Sequence, residues 1–166
     1  MLNILRKVDN AINKVYMALS VGLLTVVIVS TAIQVFTRYV MNASLSGTEE
    51  IARFAFVWMS MMGASLCVRT NGHAVVSILN DSLKHKVKLK KSHDILIQIL
   101  MICGALVLLI YGWSLTRQTS MQRSAGLGIS IAYTYACIPV GAFGMIINGL
   151  TNILETISEM KGGKTE

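Results

Sequence analysis

Hydrophobic and polar positions along this chain fall into long blocks rather than the short alternation of a half-buried strand or surface helix. Val15–Thr37 carries no charged residue, and neither do Ile95–Thr116 and Ser124–Leu154. A helix crossing a bilayer needs about 20 apolar residues, so each run is long enough. A fourth apolar run follows a polar turn at Val40–Thr48, where Asn42, Ser44, Ser46 and Gly47 favour a loop. The pattern predicts an all-α integral membrane protein of one domain, residues 1–166, with spans near 15–37, 49–68, 94–116 and 132–150. The last run exceeds one membrane thickness, which places residues 126–131 at the interface. Val15–Thr37 is also longer than the apolar core of a signal peptide, about 7–15 residues, and Arg38 follows it directly, so it reads as a retained span.

The mouth of the second span carries the densest local signal. Ser46 and Glu49 stand in the S-x-x-E spacing of a capping box, and Glu49 and Glu50 suit the positive end of a helix dipole. Arg53 lies four after Glu49 and three after Glu50, so the three share a face and can pair. An ionisable group deep in hydrocarbon costs roughly 2.5–3.5 kcal/mol, so this group belongs at the membrane edge, against protein or water. Its simplest role is a capped helix start, and its sharper one is a polar seam for a partner. Trp58 and a Met59, Met61, Met62 group follow, Ser60 and Ala64 leave room for a neighbouring helix, and Arg69 closes the span. Ser92 and Asp94 suit the start of the third span, and Tyr111 and Trp113 an aromatic belt near its end. Pro139 should loosen the fourth span by removing a backbone donor, and the polar tail from Glu155 is expected to fray.

Between the second and third spans, Val75, Val76, Ile78, Leu79 and Leu83 follow helical spacing and predict a short interfacial amphipathic helix at 74–83. A basic loop at 84–92 holds Lys84, Lys86, Lys88, Lys90 and Lys91. With the amino terminus in the cytoplasm, eleven Lys and Arg lie on that side and four, Arg38, Arg53, Arg117 and Arg123, on the other. Both termini are therefore expected inside. The lysines hold the loop there and are also placed to meet anionic phospholipid headgroups.

Composition narrows the function. Hydrophobic residues make up 54% and charged ones 14%, with mean hydropathy +0.61, against about 25% charged in a soluble domain. The net charge of +7 follows from the loop lysines, and no interleaving of aromatic and basic residues suggests nucleic acid. Cys67, Cys103 and Cys137 are scattered through apolar runs without metal-ligand spacing, and His73, His85 and His93 fall in one polar connection. Neither metal nor cofactor is implied. No nucleophile stands near a base and no glycine-rich phosphate loop occurs, so catalysis is not expected. The most polar residues of the uncharged runs, Gln34 and Asn148, lie toward span ends, where no midplane transport site would be. A small proton-coupled exporter needs an acidic group inside its first span, and a haem-binding electron-transfer subunit needs histidines within its spans. Both are absent. The chain therefore reads as a subunit that acts through a larger membrane partner.

The central stretch resembles the small membrane subunit of tripartite ATP-independent periplasmic (TRAP) transporters. The resemblance rests on Arg38, Tyr39, Val40, Asn42, Ser44 and Leu45, then Glu49, Glu50, Arg53 and Trp58, then Gly63, Ala64, Arg69 and His73, and more weakly on Ile138–Gly141. Met41 stands where the family often has phenylalanine and Gly47 where it often has tryptophan, and a proline common before the last helix is missing near Gly128–Ile131. The resemblance implies a bacterial inner-membrane protein and a separate large subunit that carries sodium and substrate and moves as an elevator. It further implies a periplasmic binding protein delivering a carboxylated solute, a sialic acid or a C4-dicarboxylate. This chain would then be a fixed scaffold without sodium of its own, contacting its partners through Arg38, Glu49, Glu50, Arg53, Trp58, Arg69 and His73.

Overall fold

The computed structural model describes residues 2–42, 46–70 and 87–162. They form helices α1 (Leu2–Tyr39), α2 (Ser46–Arg69), α3 (Val87–Gln118), the single turn α4 (Ala132–Tyr135) and α5 (Cys137–Gly162). Among the described residues the extended pairing is one antiparallel bridge, Arg123 with Ser130. Among the described residues four helices are long and apolar enough to cross a membrane, the last running from Ala132 through the α4–α5 junction. The interfacial helix expected at 74–83 lies outside the described residues, as do His73, Lys84 and Lys86.

Three helices reach beyond the apolar runs. At 1.5 Å per residue, the 38 residues of α1 span about 57 Å, nearly twice a hydrocarbon core of about 30 Å. One crossing therefore does not need the whole of α1, whose first turns carry Arg6, Lys7 and Asp9. The helix α3 begins at Val87, so Lys88, Lys90 and Lys91 belong to its first turns and not to a loop. Lysine is a good helix former, and extending a nucleated helix adds one hydrogen bond per residue fixed. The tail that looked prone to fraying is helical to Gly162, and Glu155 Oε1 accepts from Arg6 Nε at 2.7 Å.

Helix α2 packs on α1 at one side and α5 at the other, and α5 also packs on α3, with a lighter α1–α5 contact. Half of the apolar window of the last span is buried within the chain, against 6% for α1. Glycines make these approaches possible, because lipid tails are as apolar as the helix faces and association depends on close packing. A Cβ on Gly141 would stand 2.9 Å from the Met61 carbonyl oxygen, and one on Gly149 2.8 Å from Ile102 Cγ1. At Gly144 a Cβ would collide with Ser65 Oγ and the Tyr16 ring.

The last span is interrupted four residues after it begins. Pro139 denies the Tyr135 carbonyl its ladder donor and crowds it, and the helix is interrupted at Ala136. Ala136 keeps right-handed angles, φ −60° and ψ −20°, and its N–H donates to the Ala132 carbonyl at 2.9 Å, so the break is a one-residue interruption within one span.

Gly144→Ala should destabilise the chain by about 1–3 kcal/mol through overpacking. Gly22→Ala, with nothing within 4 Å of the added carbon, should be tolerated. Thermal unfolding of both variants in mild detergent checks the difference.

Candidate functional site

Polar side chains gather at the two ends of the bundle. At the end carrying both termini, Arg6, Asp9, Asn13 and Tyr16 recur along α1 at intervals of three and four and so share one face. Ser65 and Arg69 do the same on α2, as do Asn148, Thr151, Asn152 and Glu155 on α5. Asp9 is wholly buried and forms an ion pair with Arg69, whose Nη2 also donates to Asn10 Oδ1 at 2.8 Å. Asn13 donates to Asp9 Oδ1 at 3.0 Å and exchanges two hydrogen bonds with Asn148, at 2.7 and 3.1 Å. Asn148 Nδ2 donates to the Ser65 carbonyl at 2.8 Å and Asn152 Nδ2 to that of Val68 at 2.8 Å. Three helices are joined by this seam.

At the opposite end, Glu50 holds the connection between α3 and α4. Its Oε1 accepts from the Gly126 N–H and its Oε2 from the Leu127 N–H, both at 2.9 Å. The connection is a compact hairpin, with Ser124 N–H donating to Ile129 O at 2.8 Å and Ile131 N–H to Gln122 O at 3.0 Å. Gly128 turns it at φ +67°, where a side chain would be strained. A Cβ on Gly126 would stand 3.0 Å from the Ser46 carbonyl oxygen, so glycine lets the hairpin lie against the start of α2. Arg53 Nη2 donates to Glu49 Oε1 at 2.8 Å on the exposed side. Trp58 Nε1 donates to the Tyr133 carbonyl at 2.9 Å.

Among the described residues, no group of three or more His, Cys, Asp or Glu could hold a metal ion. Carboxylates, amides and guanidinium groups at these clusters bind backbone and one another, which suits holding helices in place. A family model, the DctQ component of tripartite ATP-independent periplasmic transporters, matches residues 27–159. The chain belongs to the DctQ family. DctQ proteins are components of transporters, and this one is a membrane permease subunit and not an enzyme. It is 26% identical to the sialic acid TRAP transporter small permease protein SiaQ of Vibrio cholerae over 161 residues, 97% of this chain and 90% of that protein. It is 33% identical over 79 residues, 48% of this chain and 49% of the relative, to a Haemophilus influenzae protein provisionally named a TRAP transporter small permease protein. It is also 27% identical over 113 residues to the sialic acid TRAP transporter permease protein SiaT of Haemophilus influenzae, covering 68% of this chain and 18% of that protein.

The sequence-chosen residues of this DctQ chain do not form one surface. Arg38 is exposed at the end of α1, and the Glu49–Arg53 pair is exposed on α2. Glu50 turns away from Arg53 to the hairpin, because two backbone N–H groups of Gly126 and Leu127 converge on its carboxylate. Trp58 is half-buried, and Arg69 belongs to the internal seam at the other end. Asp9, Asn13, Ser65 and Asn152 were not singled out by composition or motif. The signal that finds them is their spacing of three and four on helix faces that run on from the apolar cores.

Asp9→Ala should cost about 3–5 kcal/mol by leaving Arg69 without its carboxylate. The apolar pair Asp9→Leu with Arg69→Met should recover part of that, read as thermal stability in detergent. Glu50→Ala should free the hairpin and speed tryptic cleavage after Arg123 several-fold. Arg53→Ala should leave that rate unchanged, since an exposed pair contributes at most about 1 kcal/mol.

Proposed function

We propose that this chain is the fixed small subunit of a sodium-coupled, binding-protein-dependent importer of a carboxylated solute. It braces a larger, elevator-type membrane subunit that carries sodium and solute. The observation that carries this reading is the bare face of α1. Val15, Val21, Ile28, Val35 and Phe36 are all more than half exposed, and an apolar groove is lined by α1 from Val27 to Tyr39 and by Val40 just after it. A span so little covered by its own chain has surface to give to a second membrane protein. SiaT supports the same assembly, since a region like this chain is under a fifth of a single permease polypeptide.

Orientation follows from the eleven-to-four distribution of Lys and Arg, which favours a cytoplasmic seam and a periplasmic hairpin in the inner membrane. Arg38, the Glu49–Arg53 pair and the hairpin then face the compartment in which a binding protein would arrive. The lysine-rich stretch 84–92 then belongs to the cytoplasmic side, where anionic phospholipid headgroups lie. Sialic acid is the first solute to test, because SiaQ and SiaT both carry it in their names; a C4-dicarboxylate is the second.

Co-expression with the large permease from the same genome should give a stoichiometric complex in mild detergent. Vesicles holding that complex and the binding protein should accumulate the solute only with inward sodium, and vesicles holding this chain alone should not. Accumulation by this chain alone would overturn the reading.

A further inference from the structure

Proline kinks in spanning helices leave a carbonyl without its ladder donor, and such a point can act as a hinge. In this chain the proline break between α4 and α5 is gripped from two sides. Ahead of it, the Trp58 indole N–H of α2 donates to the carbonyl of Tyr133 at 2.9 Å. Beyond it, the Tyr16 hydroxyl of α1 donates to the carbonyl of Val140 at 2.6 Å. The interrupted residue, Ala136, lies between these two acceptors, and Pro139 is next to the second. Tyr16 is 7% exposed, and its ring occupies the space left by Gly144, one turn beyond Val140. Two aromatic side chains from two different helices therefore bind backbone on opposite sides of one break. Both are the long, stiff, single-donor kind that can reach across a helix interface and still pack.

We propose that Trp58 and Tyr16 are positioning residues that lock the proline break, making the last span a rigid strut where the sequence would otherwise provide a hinge. A carbonyl has two lone pairs, so each aromatic donor adds a bond without displacing a ladder partner. Each bond resists the bending that would pull its acceptor away. The two locks act on one hinge, so loss of both should exceed the sum of single losses. The inference rests on the bracing role proposed above, because rigidity matters to transport only if a moving partner works against this chain.

Hydrogen–deuterium exchange of the full chain in nanodiscs reads the lock directly. Trp58→Phe and Tyr16→Phe keep the rings and remove the donors. Each should raise exchange at amides 134–144 roughly five-fold, the effect of one hydrogen bond, and together more than twenty-five-fold, while α3 stays at the wild-type rate. In a Pro139→Ala background the same substitutions should have little effect, because the restored ladder no longer needs pinning. Wild-type exchange in both single variants, a rise spread over all four spans, or an undiminished rise in the Pro139→Ala background would each overturn the lock. Uptake by the assembled transporter separates the two ideas. Raised local exchange with slowed uptake supports both, whereas raised local exchange with wild-type uptake upholds the lock and overturns the bracing role.

Discussion

A carboxylate with none of its surface exposed, beside a bilayer, is tolerable only with a cation and hydrogen bonds around it, and the pairing of Asp9 with Arg69 supplies both. That pairing joins the start of the chain to the end of α2, sixty residues on. Asn13, Asn148 and Ser65 extend it to α5, and Arg6 with Glu155 closes it where water is near. Apolar faces alone could not fix this arrangement, because in lipid one apolar contact is worth much the same as another. Buried polar groups can, since each misregistration leaves a donor or acceptor unsatisfied.

The opposite end uses backbone where the seam uses side chains. Glu50 takes two N–H groups of a glycine-containing hairpin, and Gly126 lets that hairpin approach the first turn of α2. The last span is held at both levels, by the seam through Asn148 and by Trp58 and Tyr16 near its break. The last span is the most enclosed by its own chain and α1 the least. That asymmetry suits a subunit whose proposed work is to stand still against a partner.

Much of this was legible in the residues. The four spans follow from apolar runs, because transfer into hydrocarbon is summed residue by residue along a local stretch. The break followed from Pro139, whose missing N–H is a property of one residue. The family followed from Arg38, Glu49, Glu50, Arg53 and Trp58, whose pattern the match over residues 27–159 makes a DctQ chain. Helix ends were less legible. The polar first turns of α1 and α3 and the last turns of α5 carry no hydropathy signal, and they persist as helix through propagation and, at Glu155, through a distant arginine.

Tertiary structure alone decided which partners the polar residues took. Spacing put Glu49, Glu50 and Arg53 on one face, yet Glu50 answers to Gly126 and Leu127, more than seventy residues away. Arg69 looked like the closing charge of a span and is the cation of an internal seam. A helical period states which face a side chain occupies, and it is silent about what is brought against that face. Hydrophobic partition is local and additive, so the sequence by itself determined that the described residues hold four helices long and apolar enough to cross a membrane. Hydrogen-bond satisfaction depends on groups far apart in the chain meeting at about 3 Å, and only the packed helices could settle it.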